Sequence, residues 1–382
     1  MILQAALVEV RENIYCANIF LKFDADISSL KKTFKISLDK NCVLIKNDVE
    51  IIFTLILDDI ELNAESLSNL IISNSQLSFR ISLKNIQEAK SIQNDDTQQN
   101  KTAKKNLKLL IEPGCKYKLV CNSCENVVHP VSSFERILSF PSNYQNVNEF
   151  FCHNGPDVVQ LNEKMVPNQN DLFYGLFFII INLKNFCNIK ETKANEVRCK
   201  RCLYQIGDII LNYKAVKLWN DSIKLVNCSN NTTSTLFNIT NDSQICYQII
   251  ESILKDYELS DFNNRNQYFQ FTKIVLLAKL ADKKQFLMLN IIEKNLNIYK
   301  KDENFINRMI PGQSYKLFFK IENNENQALL RFWLNDINVH CLDISFSLFC
   351  KFVNILTNNS ELFPEIFRNS QNDFLMSFVA NL

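Results

Sequence analysis

The stretches CNSCENVVHP (121–130) and EVRCKRCLYQIG (196–207) each hold a Cys-x-x-Cys, and the fold of the central chain turns on whether the two pairs belong together. Seventy-four residues separate Cys124 from Cys199. Tetrahedral zinc takes four soft or borderline ligands, and one Cys-x-x-Cys turn supplies two of them. Cys121 with Cys124, and Cys199 with Cys202, therefore read as two halves of one structural zinc site. Strand-like sequence flanks each pair, as in a zinc knuckle, and Gly207 suits the return turn after the second. A redox motif would be a single pair opening a helix within a βαβ unit, a context that neither pair has. The long insert leaves chance coincidence and a mixed site open. In a mixed site Cys152 and His153 join one knuckle, or His129 replaces a cysteine; otherwise His129 reads as an exposed loop histidine.

Composition bounds the rest. The chain has 382 residues, room for two or three domains, and 47% of them are hydrophobic. Lys plus Arg (42) nearly cancels Asp plus Glu (41), so the whole chain is not drawn to nucleic acid or to a membrane surface by charge. Only five glycines occur, and neither GxGxxG nor GxxxxGK[ST] is present, which argues against a phosphate-cradling loop. Glu9 and Arg11 interrupt any signal-peptide apolar region. The longest apolar run, LFYGLFFIIINL (172–183), is too short for a membrane span. The 13 cysteines then read as buried thiols or metal ligands in a reduced, intracellular chain.

Along the chain, residues 1–86 alternate β-branched and aromatic residues with polar ones and read as an N-terminal β domain. Residues 87–106 are polar with no apolar face and read as a linker or loop. Residues 107–228 form the module with both cysteine pairs. After a boundary at 227–243, residues 244–382 read as an α+β region. In it Ile245, Ile249, Ile250, Ile253 and Leu254 share one helical face, and 344–359 is a second helix. The fold class is α+β and β-rich, with the zinc-stapled module in the middle.

Catalytic motifs are scarce. There are three histidines and no GxSxG or HExxH. Cys152-His153 lies among loop signals, either as a buried cysteine beside a surface histidine or as a thiol and imidazole offered to a partner. His340 and Cys341 end a strand-like run and read as structural. Cys350 falls at an apolar helical position and reads as a buried core thiol.

The order Cys-x-x-Cys, RILSFPS, Cys-His and VRCKRC with a glycine five residues on resembles the HECT-like ubiquitin-conjugating-enzyme-binding proteins, also described as HECT-like ubiquitin ligases. The resemblance is clearest over residues 115–225. Tyr144 stands where the family often has Trp, and Phe151 replaces the first cysteine of its Cys-Cys-His. The resemblance implies a transferase of the ubiquitin conjugation pathway, in the cytoplasm and also the nucleus, that binds a ubiquitin-conjugating enzyme and passes ubiquitin to protein lysines. Its contact with that enzyme would map near 204–225, with Tyr204 and Trp219 as partner-binding residues. A cysteine relay needs an accessible thiol of lowered pKa; Cys152, Cys341 and Cys350 are the candidates, and the sequence does not choose among them. The resemblance also implies a second role, as a non-catalytic protein that inhibits or chaperones the zinc endonuclease of pre-mRNA 3′-end cleavage, with Cys152 and His153 as the docking element. A weaker third reading is a nucleic-acid-binding zinc ribbon using Lys200, Arg201, Lys214 and Lys217, which the neutral balance disfavours. We expect no membrane partner and no direct nucleic-acid partner.

Overall fold

Apolar and β-branched runs such as LQAALVEVR (3–11) and TKIVLLAKL (272–280) suit a pleated sheet, and their centres, residues 6–10 and 274–276, are buried on both faces. The computed structural model describes residues 2–28, 35–46, 51–57, 60–86, 107–140, 166–211, 214–260, 272–280, 283–302 and 309–382. The linker at 87–106, Tyr144, Phe151, and the Cys152-His153 pair lie outside the described residues.

One ten-stranded sheet is organised on the 19-residue strand Lys283–Lys301. Met309–Glu322 pairs along one side of it, and Leu375–Asn381 follows beyond. Its other side is shared. The first half pairs with Thr272–Leu280, and the second half with Leu3–Arg11. Register shifts between Ile291 and Glu293, and between Glu293 and Leu296, bend the strand where the two neighbours part. The sheet therefore forks. One arm continues through Cys16–Phe23 and Gln76–Ile86. The other ends, among the described residues, in Val339–Ile344, which runs parallel to Thr272–Leu280. Strands from residues 1–86 and from 244–382 thus belong to a single sheet.

The crotch of the fork holds charge. Glu9, with its side chain 1% exposed, lies 2.6 Å from the Lys316 ammonium, which also sits 4.9 Å from the centroid of the Phe363 ring. Arg11 bridges Glu293 at 3.0 Å and approaches Glu9 at 3.9 Å. Buried ions cost several kcal/mol each unless paired, so these four side chains form one unit.

Helix α1 (Asp242–Ser260) buries Ile245, Ile249, Ile250, Ile253 and Leu254, the face its spacing predicts. Helix α2 (Ala328–Leu334) turns in Leu330 and Trp333. Helix α3 (Phe346–Ser360) starts at Ser345, whose hydroxyl accepts the Leu348 N–H at 3.1 Å. Leu348, Phe349, Phe352 and Leu356 face inward, whereas Cys350 is exposed. The expected core thiol at 350 is thus corrected: it lies one position past Phe349, on the solvent face. No helix among the described residues is long and apolar enough to cross a membrane.

Two smaller sheets carry the cysteine pairs. The first contains Lys116–Cys121, Val127–Ser133, Ile223–Asn227 and Thr233–Ser234. The second has seven strands, among them Glu196–Cys199, Gln205–Ile210 and Ala215–Trp219. The apolar 172–183 run supplies two more of these, Asp171–Gly175 and Phe178–Asn182. One core runs from Leu119, Val197 and Leu218 through Ile249 to Leu287, Phe352 and Val379, so both sheets share an interior with the large one.

Candidate metal centre

Each cysteine pair sits in a hairpin turn, and the two turns repeat the same bonds. The Cys121 N–H donates to the Asn126 carbonyl at 2.9 Å, and the Glu125 N–H to the Cys121 carbonyl at 2.9 Å. In the second turn Cys199 N–H donates to the Tyr204 carbonyl at 2.9 Å, and Leu203 N–H to the Cys199 carbonyl at 2.9 Å. The residue after each pair is left-handed: Glu125 has φ 59° and Leu203 φ 60°. Non-glycine residues pay roughly 1–2 kcal/mol for that conformation, so the turns are held by what they face. Gly207 is not in the turn, as its position suggested, but within the strand Gln205–Ile210. A Cβ there would stand 2.0 Å from the Lys217 carbonyl oxygen, so close approach of the neighbouring strand requires the glycine.

The two turns face each other across the gap between the smaller sheets. The sulfurs of Cys121, Cys124, Cys199 and Cys202 all lie within 4.8 Å of one another. Cys121 Sγ is 3.7 Å from Cys202 Sγ, and Cys124 Sγ is 3.6 Å from Cys199 Sγ. With metal–sulfur bonds of about 2.3 Å, a tetrahedron has edges of about 3.8 Å. The set therefore has the dimensions of a four-thiolate metal cage. Cys121 and Cys199 are fully buried, while Cys202 is exposed and Cys124 intermediate.

The surroundings split the thiols. Burial pushes Cys121 up to about 12. Burial also acts to raise Cys199, but N–H groups of Cys202 and Arg201 and the Asn126 amide, 3.6 Å from its sulfur, hold it at about 7. Asn126 thus reaches from one knuckle to a sulfur of the other. Arg201 returns the contact, its guanidinium donating to the Cys124 carbonyl at 3.4 Å.

His129 is neither a ligand nor an exposed loop residue. It lies in the strand Val127–Ser133, 1% exposed, between the rings of Phe134 and Phe186 at 5.7 and 5.6 Å. Burial lowers its pKa to about 4, and its Nδ1 lies 2.9 Å from the Pro130 carbonyl oxygen.

Beside the second knuckle a groove of about 250 Å³ separates the seven-stranded sheet from the large one. Tyr204 and Trp219 both line it, with Leu203, Leu280, Phe346 and Asp343 opposite or beside them. Leu203 and Leu280 are 51% and 45% exposed. Trp219 is only 5% exposed, and the Lys217 ammonium lies 4.1 Å from its ring. Burial pushes Lys217 down and Asp208 up, while Asp343 and Asp208 oppose the first shift and Lys217 and Lys279 the second. No motif marks these four charges in the sequence, because they are brought together by sheet packing from positions 208, 217, 279 and 343. Cys341 is exposed on the strand Val339–Ile344, two residues before Asp343. Burial raises the Cys350 thiol even though that residue is exposed.

A family model described as HECT-like ubiquitin-conjugating enzyme (E2)-binding matches residues 9–374. The chain is 24% identical over 277 residues to an E3 ubiquitin-protein ligase of Mus musculus, covering 68% of this chain and 70% of the mouse protein. It is 22% identical over 294 residues to the like-named ligase of Homo sapiens, covering 68% and 71%. The like-named ligase of Rattus norvegicus is 33% identical over 93 residues, 24% of each chain. No solved structure matches significantly.

Proposed function

The chain belongs to the HECT-like ubiquitin-conjugating-enzyme (E2)-binding family, and on that premise we propose that it is a ubiquitin ligase that docks a loaded conjugating enzyme and promotes ubiquitin transfer to protein lysines. The observation that carries this reading is the extent of the match, which takes in both arms of the forked sheet and the cysteine-bearing module between them. The named ligases align over about two thirds of the chain at low identity, which supports the activity class and leaves the substrate open.

Cys121, Cys124, Cys199 and Cys202 hold zinc in this reading. Four protein thiolates close the coordination shell, so the ion supplies folding energy and ties the two smaller sheets together. The tie fixes the wall of the groove that carries Leu203 and Tyr204. Aromatic and leucine side chains ringed by charge are the anatomy of a protein-docking site, and this groove is where the conjugating enzyme would sit.

Transfer through a thioester needs a thiolate to attack the loaded enzyme's thioester carbonyl, expelling that enzyme's cysteine, before a lysine amine displaces the thiol in turn. Of the described candidates, Cys341 is exposed and two residues from the groove, whereas burial raises the Cys350 thiol, the opposite of what a nucleophile needs. Cys341 is therefore the first to replace.

A single-turnover discharge tests this. A conjugating enzyme loaded with labelled ubiquitin is mixed with the protein and analysed with and without reductant. A reductant-sensitive adduct lost in Cys341→Ser supports the relay; an adduct lost only in Cys152→Ser moves it to that residue. Discharge to lysine without an adduct identifies a scaffolding ligase. No discharge across a panel of conjugating enzymes overturns the ligase reading in favour of a non-catalytic binding protein.

A further inference from the structure

The four-cysteine cluster is asymmetric. Its buried sulfurs, Cys121 and Cys199, belong to different knuckles, and so do its outer sulfurs, Cys124 and Cys202. The 3.7 Å contact joins buried Cys121 to exposed Cys202, and the 3.6 Å contact joins Cys124 to buried Cys199. Each outer sulfur therefore has a buried partner on the opposite knuckle, within reach of the small shift that a disulfide bond requires.

We propose that the four cysteines are also an oxidation site for hydroperoxides, and that oxidation joins Cys121 to Cys202 and Cys124 to Cys199 across the gap, so that the two sheets stay tied after the metal leaves. This rests on the thiol geometry and not on the ligase reading, so a failed ubiquitin discharge leaves it standing.

The steps balance with hydrogen peroxide as the only oxidant. The exposed Cys202 thiolate attacks one peroxide oxygen, giving the sulfenic acid and releasing hydroxide. The Cys121 thiolate then attacks the sulfenic sulfur, forming the disulfide and releasing a second hydroxide. Cys124 and Cys199 repeat the sequence with a second peroxide. Four thiolates and two peroxides thus yield two disulfides and four hydroxides, which four protons carry to water, and the metal ion is released without change of oxidation state. The hairpin bonds that pin both knuckles are backbone bonds and survive every step.

The full-length, metal-loaded protein is titrated with hydrogen peroxide. Released metal is read with a chromophoric chelator, and the chain is then alkylated and mapped by mass spectrometry without reduction. Trypsin cuts between Cys199 and Cys202, after Lys200 and Arg201, but not between Cys121 and Cys124, which share peptide 119–136. The expected product is peptide 119–136 linked to both 199–200 and 202–214, appearing in step with released metal and removed by a thiol reductant. Peptide 199–200 linked to 202–214 with 119–136 free would mean bonds within each knuckle, and would overturn the proposal. So would sulfinic or sulfonic acids in place of disulfides. Retention of metal and all four thiols at peroxide doses that modify exposed Cys341 and Cys350 would overturn it as well. In Cys202→Ser the link from 119–136 to 202–214 must vanish while that to 199–200 persists. If that variant fails to fold, the wild-type product still decides: fragmentation between Cys121 and Cys124 must place 202–214 on Cys121 and 199–200 on Cys124, and the reverse would overturn the pairing.

Discussion

Mild acid should destabilise this protein through His129, and the size of the effect follows from its site. The imidazole is 1% exposed between two phenylalanine rings, and burial lowers its pKa from 6.5 to about 4. A base whose folded pKa is depressed is neutral in the fold and becomes protonated first in the unfolded chain. Its contribution to stability is therefore complete above the unfolded value and is lost as pH falls from about 6.5 toward about 4. That separation, at about 1.4 kcal/mol per pH unit, gives a total near 3 kcal/mol, of which about 2 kcal/mol is lost between pH 7 and pH 5. The assay is urea unfolding across that range for the wild type and for His129→Leu, both saturated with zinc. Protonation of the thiolates and of every other group acts on both proteins, so the difference between their pH slopes isolates the histidine. The leucine variant should lose about 2 kcal/mol less on going to pH 5. Parallel curves within about 0.5 kcal/mol would refute the reasoning and mean that the folded protein accommodates the imidazolium.

Chelation should lower the melting temperature and make it depend on added zinc, as should Cys202→Ser, because metal binding and folding are coupled at a site built from two separate sheets; a melt indifferent to chelator would refute the tie. Glu9→Ala should cost about 3–5 kcal/mol in denaturant unfolding by stranding Lys316, and Glu9→Leu with Lys316→Met should recover most of it. Leu203→Gly should raise stability by up to about 1 kcal/mol by relieving the left-handed turn, yet weaken conjugating-enzyme binding roughly tenfold, since that exposed side chain lines the groove. Gains in both stability and binding would remove Leu203 from the docking surface.

The cysteine cage was legible because Cys-x-x-Cys is a local signal: spacing alone aims two sulfurs at one point. The buried face of α1 was legible for the same reason, its period being written within a few turns, and so was the presence of α3, though not its inward face. What stayed hidden is non-local. Nothing near residues 3–11 says that their partner strand lies at 297–300, nor that Thr272–Leu280 shares the same edge. The charges at 208, 217, 279 and 343 sit in four ordinary strands and acquire meaning only when the sheets pack. His129 misled because it follows so closely on the first knuckle, while its burial is set by Phe134 and by the distant Phe186. Cys350 misled because an apolar neighbourhood in sequence spans both faces of a helix.

The forked sheet also sets a timetable. Leu3–Arg11 leaves the ribosome well ahead of the strand that covers its second edge, which follows about 290 residues later. At about 5–20 residues per second, that edge waits roughly 15–60 seconds for its partner. Throughout the wait it presents an unpaired, largely apolar strand, the kind of edge that recruits strands of other chains. Slowing translation before residue 297 prolongs that exposure, and should lower the soluble yield without changing the finished molecule.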